Sequence, residues 1–113
     1  MTDELIVWDD LRGKEARGTT KDVDLGEVQE VGRNFVLTQK GTVSKEKFYI
    51  PKYLVNGYDG DTLWFNVSEG DKSGFRRDAE PTYEEYIVYR TDTVPSDVET
   101  HVRMIKKRDS TAA

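Results

Sequence analysis

The sequence predicts a mainly β protein, and three local patterns lead to that class. The first is an alternation from Thr62 to Ser68 that places Leu63, Phe65 and Val67 on one face and Thr62, Trp64, Asn66 and Ser68 on the other, which is typical of a strand with one buried face. The second is Asp59-Gly60-Asp61 just before it, which favours the tight turn of a β-hairpin. The third is the frequency of glycine between residues 11 and 31, which disfavours a long helix there.

The same reasoning predicts a series of short strands. They cover residues 15–17, 25–31, 35–39, 47–51, 55–59, 62–68 and 83–90, after a short apolar strand or arm at 5–8. Gly26 is expected at a bulge or at a close approach of two backbones. In the strand at 62–68, Leu63, Phe65 and Val67 are predicted to point into the core, and Trp64 is predicted to point away from it.

The last third of the chain is less regular. Residues 71–82 are polar, and we expect a linker or a loosely packed loop there. After the strand at 83–90, the segment Ser96-Asp97-Val98-Glu99 matches a helix capping box, and apolar residues follow it at helical spacing. Residues 98–104 also alternate as a strand does, so a short helix and a strand both stay open, with the helix slightly favoured. The final residues are expected to be disordered.

Length and composition limit the possible functions. A chain of 113 residues suffices for one core, and its 35% hydrophobic and 35% charged residues predict that some of it lies outside that core. The net charge of −5 disfavours nucleic acid and anionic lipid as partners. No cysteine is present, and no segment has the apolar length of a membrane span or the pattern of a secretion signal. We therefore expect a cytoplasmic protein without membrane insertion.

Three stretches of the sequence, taken in order, are similar to a known family. They are DLRGKEARG at residues 10–18, DLGEVQEVGRNFVLTQKG at 24–41 and FYIPKYLVNGYDGDTLWFNVSE at 48–69. Their order and spacing resemble the PRC-barrel superfamily over residues 11–70, and more closely its short DUF2171-like members of archaeal and bacterial type. The resemblance implies a small, strongly bent, mostly antiparallel β-barrel.

The resemblance also suggests how the chain is organised and used. We expect an N-terminal arm at 1–10, a PRC-like barrel at 11–70, a loop at 71–82 and a C-terminal extension at 83–113 that packs on the barrel. Related barrels mediate protein or RNA–protein contacts without catalysis, some of them in stress-associated proteins and scaffolds. The resemblance therefore implies a non-catalytic binding or assembly module, and it assigns no functional residue.

The residues that carry chemistry agree with a protein that is not an enzyme. His101 is the single histidine, and without cysteine a metal site there would need several carboxylates around it. The neighbouring carboxylates Asp9-Asp10 and Glu84-Glu85 would point to opposite sides of a strand, which does not suit a catalytic pair. We predict no catalytic residue, no metal ligand and no cofactor.

Aromatic side chains supply the candidate binding residues. Trp64 and Tyr49 are predicted on the face opposite the core, and Tyr53 and Tyr58 flank a turn next to Lys52. An exposed Trp buries a large area when a partner binds, so it is a candidate anchor. A slightly favoured alternative is that Trp64 lies beneath the C-terminal segment and packs against its aromatic and aliphatic residues, Tyr86, Val88 or Tyr89.

Three functions remain as hypotheses. The first is a protein-interaction module, including self-association through an open strand edge. The second is a binder of RNA or single-stranded DNA that uses aromatic stacking and the basic cluster between Arg103 and Arg108. The third, a small hydrolase or metal-dependent enzyme, has no motif in its favour.

Overall fold

The computed structural model describes residues 5–41, 43, 45–88 and 100–106. These residues form eight strands, β1 Leu5–Val7, β2 Glu15–Arg17, β3 Asp24–Val31, β4 Phe35–Lys40, β5 Glu46–Pro51, β6 Val55–Tyr58, β7 Thr62–Phe65 and β8 His101–Arg103. The same described residues form two short helices, α1 Glu69–Lys72 and α2 Tyr83–Val88. Three short 3-10 turns cover Trp8–Leu11, Lys52–Leu54 and Ser73–Phe75. In the described part of the chain, no helix is long and apolar enough to cross a membrane.

Six of the strands make one sheet in the order β5-β4-β3-β2-β7-β6. All neighbours in it are antiparallel except β2 and β7, which run parallel. The remaining strands, β1 and β8, pair with each other, and the chain after β8 continues beside β6. Within the described residues no strand ladder joins β5 to β6. The mainly β class is confirmed, whereas a closed barrel is not found.

The predicted strand alternation correctly identifies the core. Leu63, Phe65 and Val67 are each 0% exposed, as are Phe48 and Ile50 of β5. They belong to one apolar cluster with residues of the N-terminal 3-10 turn, of β2 to β4 and of β8. The β6–β7 hairpin forms as predicted, although β7 ends at Phe65 and not at Ser68.

Gly26 lies at the predicted irregularity. The pairing of β2 with β3 shifts register beside it, and its φ angle is +85°. A Cβ at this position would lie 2.0 Å from the backbone oxygen of Gln39 on β4. Glycine is required here because it adopts the left-handed conformation and lets two backbones approach closely.

The hypothesis that Trp64 is an exposed anchor is wrong, because its side chain is only 6% exposed, and the slightly favoured alternative is correct in that Trp64 is buried. Of the neighbours expected for it, Tyr86 packs against Phe35 and Tyr53, whereas the Val88 side chain and Tyr89 lie outside the described residues. Thr62 of the same strand is also buried, so all four positions of β7 are removed from water. Both edges of β7 are paired, with β2 and with β6, and the indole N–H of Trp64 donates to the buried carboxylate of Asp59 at 2.8 Å.

The predicted strand at 83–90 is wrong for residues 83–88, which form helix α2. The hydroxyl of Thr82 accepts a hydrogen bond from the backbone N–H of Glu85 at 3.3 Å, which caps the first turn. Glu84 and Glu85 also lie in that first turn, where negative charge is favourable. Residues 89 and 90 lie outside the described residues.

The slightly favoured helix near the C-terminus is wrong for residues 101–103, which form β8. Val102 pairs with Ile6 of β1 and is fully buried. An available strand partner outweighs the helical spacing of the apolar residues, because strand propensity depends strongly on tertiary context. The capping box at 96–99 and the final residues from 107 onward lie outside the described residues.

Candidate binding groove

A groove of about 400 Å³ lies on the outer face of β4 and β5. Phe35 is paired with Pro51 and Leu37 with Tyr49, which puts these four residues on the face opposite the main core. The residues that line this aromatic groove are Phe35, Tyr49, Pro51, Tyr53, Leu54, Asn66, Asp71, Gly74, Phe75, Arg77, Pro81 and Glu85. The groove is thus bounded by the sheet, by the turn after β5 and by the segment from α1 to α2.

Aromatic packing holds the floor of the aromatic groove in place. Tyr86 of α2 is 1% exposed, and its ring centroid lies 5.5 Å from that of Phe35 and 5.0 Å from that of Tyr53. The contact with Phe35 is edge-to-face, a favourable arrangement for two aromatic rings. Tyr49 and Leu54 pack against this cluster from its margin. Helix α2 therefore fixes the floor by covering the outer face of the sheet.

The opposite wall consists of residues 69–77, most of which lie in the segment 71–82 that was expected to be a linker or a loosely packed loop. The hydroxyl of Ser68 accepts a hydrogen bond from the backbone N–H of Asp71 at 3.1 Å and caps α1. Phe75 packs against the main core. Arg76 then pairs with Phe48, and the N–H of Arg77 donates to the carbonyl of Lys47 at 3.1 Å. The wall is thus bonded to the edge of β5.

The rim of the aromatic groove carries charges of both signs. The guanidinium of Arg77 lies 3.4 Å from the carboxylate of Glu85, and both side chains are about half exposed. Asp71 lines the groove as well. Apart from these three residues the lining carries no formal charge, so the groove has one more negative than positive group.

Two of the remaining candidate residues, Tyr58 and Trp64, are buried in the β6–β7 hairpin. One carboxylate oxygen of Asp59 accepts hydrogen bonds from the backbone N–H groups of Asp61 and Thr62 at 2.9 and 2.8 Å. Its other oxygen accepts a hydrogen bond from the indole N–H of Trp64 at 2.8 Å. The hydroxyl of Tyr58 donates to the carbonyl of Gly60. These bonds bind the turn to the strand that follows, which is the turn chemistry predicted for Asp59-Gly60-Asp61.

Lys52 is buried as well, at 5% exposure. Its ammonium lies 5.4 Å from the ring centroid of Trp8, within the range of a cation–π contact. Its backbone N–H donates to the carbonyl of Asn34. Lys52 therefore connects the N-terminal 3-10 turn to the end of β5 and is not a surface cation.

The structure separates the five candidate binding residues into two groups. Tyr49 and Tyr53 line the aromatic groove, whereas Trp64, Tyr58 and Lys52 do not and are buried. Sequence reasoning did not identify the other groove residues as a site. One signal was available, since Phe75 is the only large apolar residue between 69 and 82. Such a residue in a polar segment is expected to reach an apolar surface.

The arrangement is suited to binding a side chain or a small apolar group. It combines aromatic surface with a few polar groups at the rim, as ligand sites commonly do. His101 lies in β8 and does not line the groove, and its Nδ1 is 2.9 Å from the hydroxyl of Thr100. Among the described residues, no three His, Cys, Asp or Glu side chains are grouped so that they could hold a metal ion.

No family model, no curated protein and no solved structure matches the chain.

Proposed function

We propose that this protein is a non-catalytic binding module and that the aromatic groove contacts its partner. The observation that carries this proposal is the groove itself, about 400 Å³ in volume and floored by aromatic side chains. That volume falls in the range of sites that bury a ligand or one or two side chains of a protein partner. The PRC-barrel resemblance supports the same conclusion, since related barrels act in assembly.

The way the groove is built favours binding. Its floor is fixed by packed rings, and its wall is hydrogen-bonded to β5. A site that is formed before the partner arrives loses little conformational entropy on binding. Partly exposed aromatic side chains such as Tyr49 and Phe75 then supply apolar area at low entropic cost.

A protein segment is the best-suited partner. Two of the three charged groups at the rim are carboxylates, and the whole chain carries a net charge of −5. Both features repel a phosphate backbone, so RNA or single-stranded DNA is the weaker candidate. The absence of cysteine agrees with action in the reducing cytoplasm.

Selection of binding peptides tests the proposal. Peptides enriched from a random phage-displayed library on the immobilised protein are synthesised and titrated against isotope-labelled protein. We expect backbone amide shifts to concentrate at residues of the aromatic groove. Phe75→Ala should weaken binding by roughly tenfold or more, the usual effect of removing an aromatic anchor.

Val43→Ala is the matched control, because Val43 is 95% exposed in the β4–β5 turn and does not line the groove. Thermal unfolding of both variants checks that they are folded. The proposal is wrong if no peptide is enriched, or if the enriched peptides shift resonances elsewhere. It is also wrong if a labelled single-stranded oligonucleotide binds the groove and no peptide does.

A further inference from the structure

The charged residues of the aromatic groove point to the class of its partner. We infer that the groove receives a basic side chain, arginine in preference to lysine, from a peptide segment that is otherwise apolar or uncharged. This inference rests on the proposed function, because it names the partner of the same site.

One of the three rim charges is already paired with another. Arg77 faces Glu85 at 3.4 Å, so the positive group of the rim has a negative partner. Asp71 forms no ion pair within the described residues. An incoming cation therefore meets a carboxylate that is available, whereas an incoming anion meets two carboxylates and a guanidinium that is already engaged.

The uncharged part of the lining is mainly aromatic and aliphatic. Phe35, Tyr49, Tyr53 and Phe75 are aromatic, and Pro51, Leu54 and Pro81 add aliphatic surface. A long basic side chain suits such a surface, because its methylene stem packs on apolar groups while its charged end reaches the rim. Arginine is favoured over lysine since its planar guanidinium stacks on aromatic faces and loses less hydration.

The edge of β5 is the place where a peptide could be added to the sheet beside the groove. A strand edge can bind a peptide through main-chain hydrogen bonds. At β5 that edge is occupied, because Arg76 pairs with Phe48 and the N–H of Arg77 donates to Lys47. The partner is therefore recognised through side chains inserted into the groove and not through an added strand.

A comparison of peptide pools tests this inference. Four pools of short synthetic peptides carry a fluorescent label, randomised uncharged flanks and a fixed central residue, which is arginine, lysine, citrulline or glutamate. Retention on the immobilised full chain is measured for each pool. Citrulline has nearly the shape of arginine and no charge, so the difference between these two pools isolates the contribution of charge.

We expect retention in the order arginine, lysine, citrulline and glutamate, with about a tenfold difference between arginine and citrulline, as for a charge-assisted contact near the surface. Asp71→Asn should reduce this difference severalfold. Asp22→Asn should leave it unchanged, because Asp22 is an exposed carboxylate that does not line the groove.

The outcomes distinguish the two proposals. If citrulline and arginine pools are retained equally and Phe75→Ala releases both, the groove binds peptides but the preference for a basic residue is overturned. The inferred preference is also overturned if the difference between the arginine and citrulline pools is unchanged in Asp71→Asn. If the unsubstituted protein retains no pool more strongly than the Phe75→Ala variant does, both this inference and the proposed function fail.

Discussion

The carboxylate of Asp59 accepts a hydrogen bond from the indole N–H of Trp64 at 2.8 Å, and both residues are less than a tenth exposed. This contact crosses from the turn of the β6–β7 hairpin to the strand that follows it. It explains how a tryptophan on the non-core face of β7 is removed from water without losing a partner for its polar atom. A buried acceptor and a buried donor satisfy each other, and each depends on the other.

Removing the Asp59 carboxylate should therefore lower the stability of the protein. Asp59→Ala leaves the indole N–H of Trp64 and two backbone N–H groups without their acceptor. We expect the free energy of unfolding to fall by about 3–5 kcal/mol, since hydrogen bonds to a charged group are strong and buried donors become unsatisfied. Urea denaturation followed by circular dichroism measures it. Asp22→Ala, at an exposed carboxylate, is the control, and equal effects of the two substitutions would contradict the assigned role.

The burial of Trp64 changes the expected ranking of two neighbouring substitutions. A solvent-facing Trp64 would tolerate Trp64→Ala far better than the core tolerates Phe65→Ala. With both side chains buried, each substitution should cost about 3–5 kcal/mol, the usual loss for a buried aromatic residue. Chemical denaturation of the two variants provides the comparison. A loss below about 1 kcal/mol for Trp64→Ala, the level of a surface substitution, would show that Trp64 is exposed in solution.

Two glycines with similar backbone conformations separate the effect of strain from that of close packing. Gly13 and Gly26 have φ angles of +84° and +85°, but a Cβ would meet nothing within 4 Å at Gly13 and the Gln39 oxygen at 2.0 Å at Gly26. Gly13→Ala should cost about 1–2 kcal/mol, the usual penalty for a left-handed non-glycine residue. Gly26→Ala should cost clearly more, because β3 and β4 must also move apart. Thermal unfolding of both variants measures the difference, and equal losses would rule out the close approach.

The capping of α2 can be tested at Thr82. Its hydroxyl accepts from the backbone N–H of Glu85, so Thr82→Ala should cost about 1 kcal/mol of local stability. Hydrogen exchange at the amides of α2 should become faster, because the helix opens more often. Thr20→Ala, at an exposed threonine between β2 and β3, should leave that exchange unchanged. Exchange in α2 that does not respond to Thr82→Ala would contradict the cap.

The local pattern was sufficient for most of the sheet. The strands at 15–17, 25–31, 35–39 and 47–51 were predicted to within one residue at each end. The hairpin around Asp59-Gly60-Asp61 and the inward-facing residues of β7 were also predicted correctly. These features depend on neighbours in the sequence, since side-chain alternation and turn chemistry act over a few residues.

Prediction failed where a distant segment decides the outcome. Tyr83 to Val88 has the composition of a strand, yet it forms a helix capped by Thr82 and packed by Tyr86 onto the sheet. Residues 101–103 have an ambiguous pattern, and the presence of β1 as a partner makes them a strand. A long-range partner decides β8, whereas α2 combines a local cap at Thr82 with the long-range packing of Tyr86.

The aromatic groove also combines features set by neighbours in the sequence with features set by distant segments. Alternation along β4 and β5 was enough to separate Tyr49 from the core residues beside it, and alternation together with turn residues was enough to indicate a mainly β chain. Only the tertiary structure decided that helix α2 and the segment before it fold back over that outer face, and that Trp64 is buried with its indole N–H bonded to Asp59. Side-chain periodicity reports which residues share a face of a strand. Whether that face is covered depends on chain segments far away in the sequence, because burial follows from packing in space.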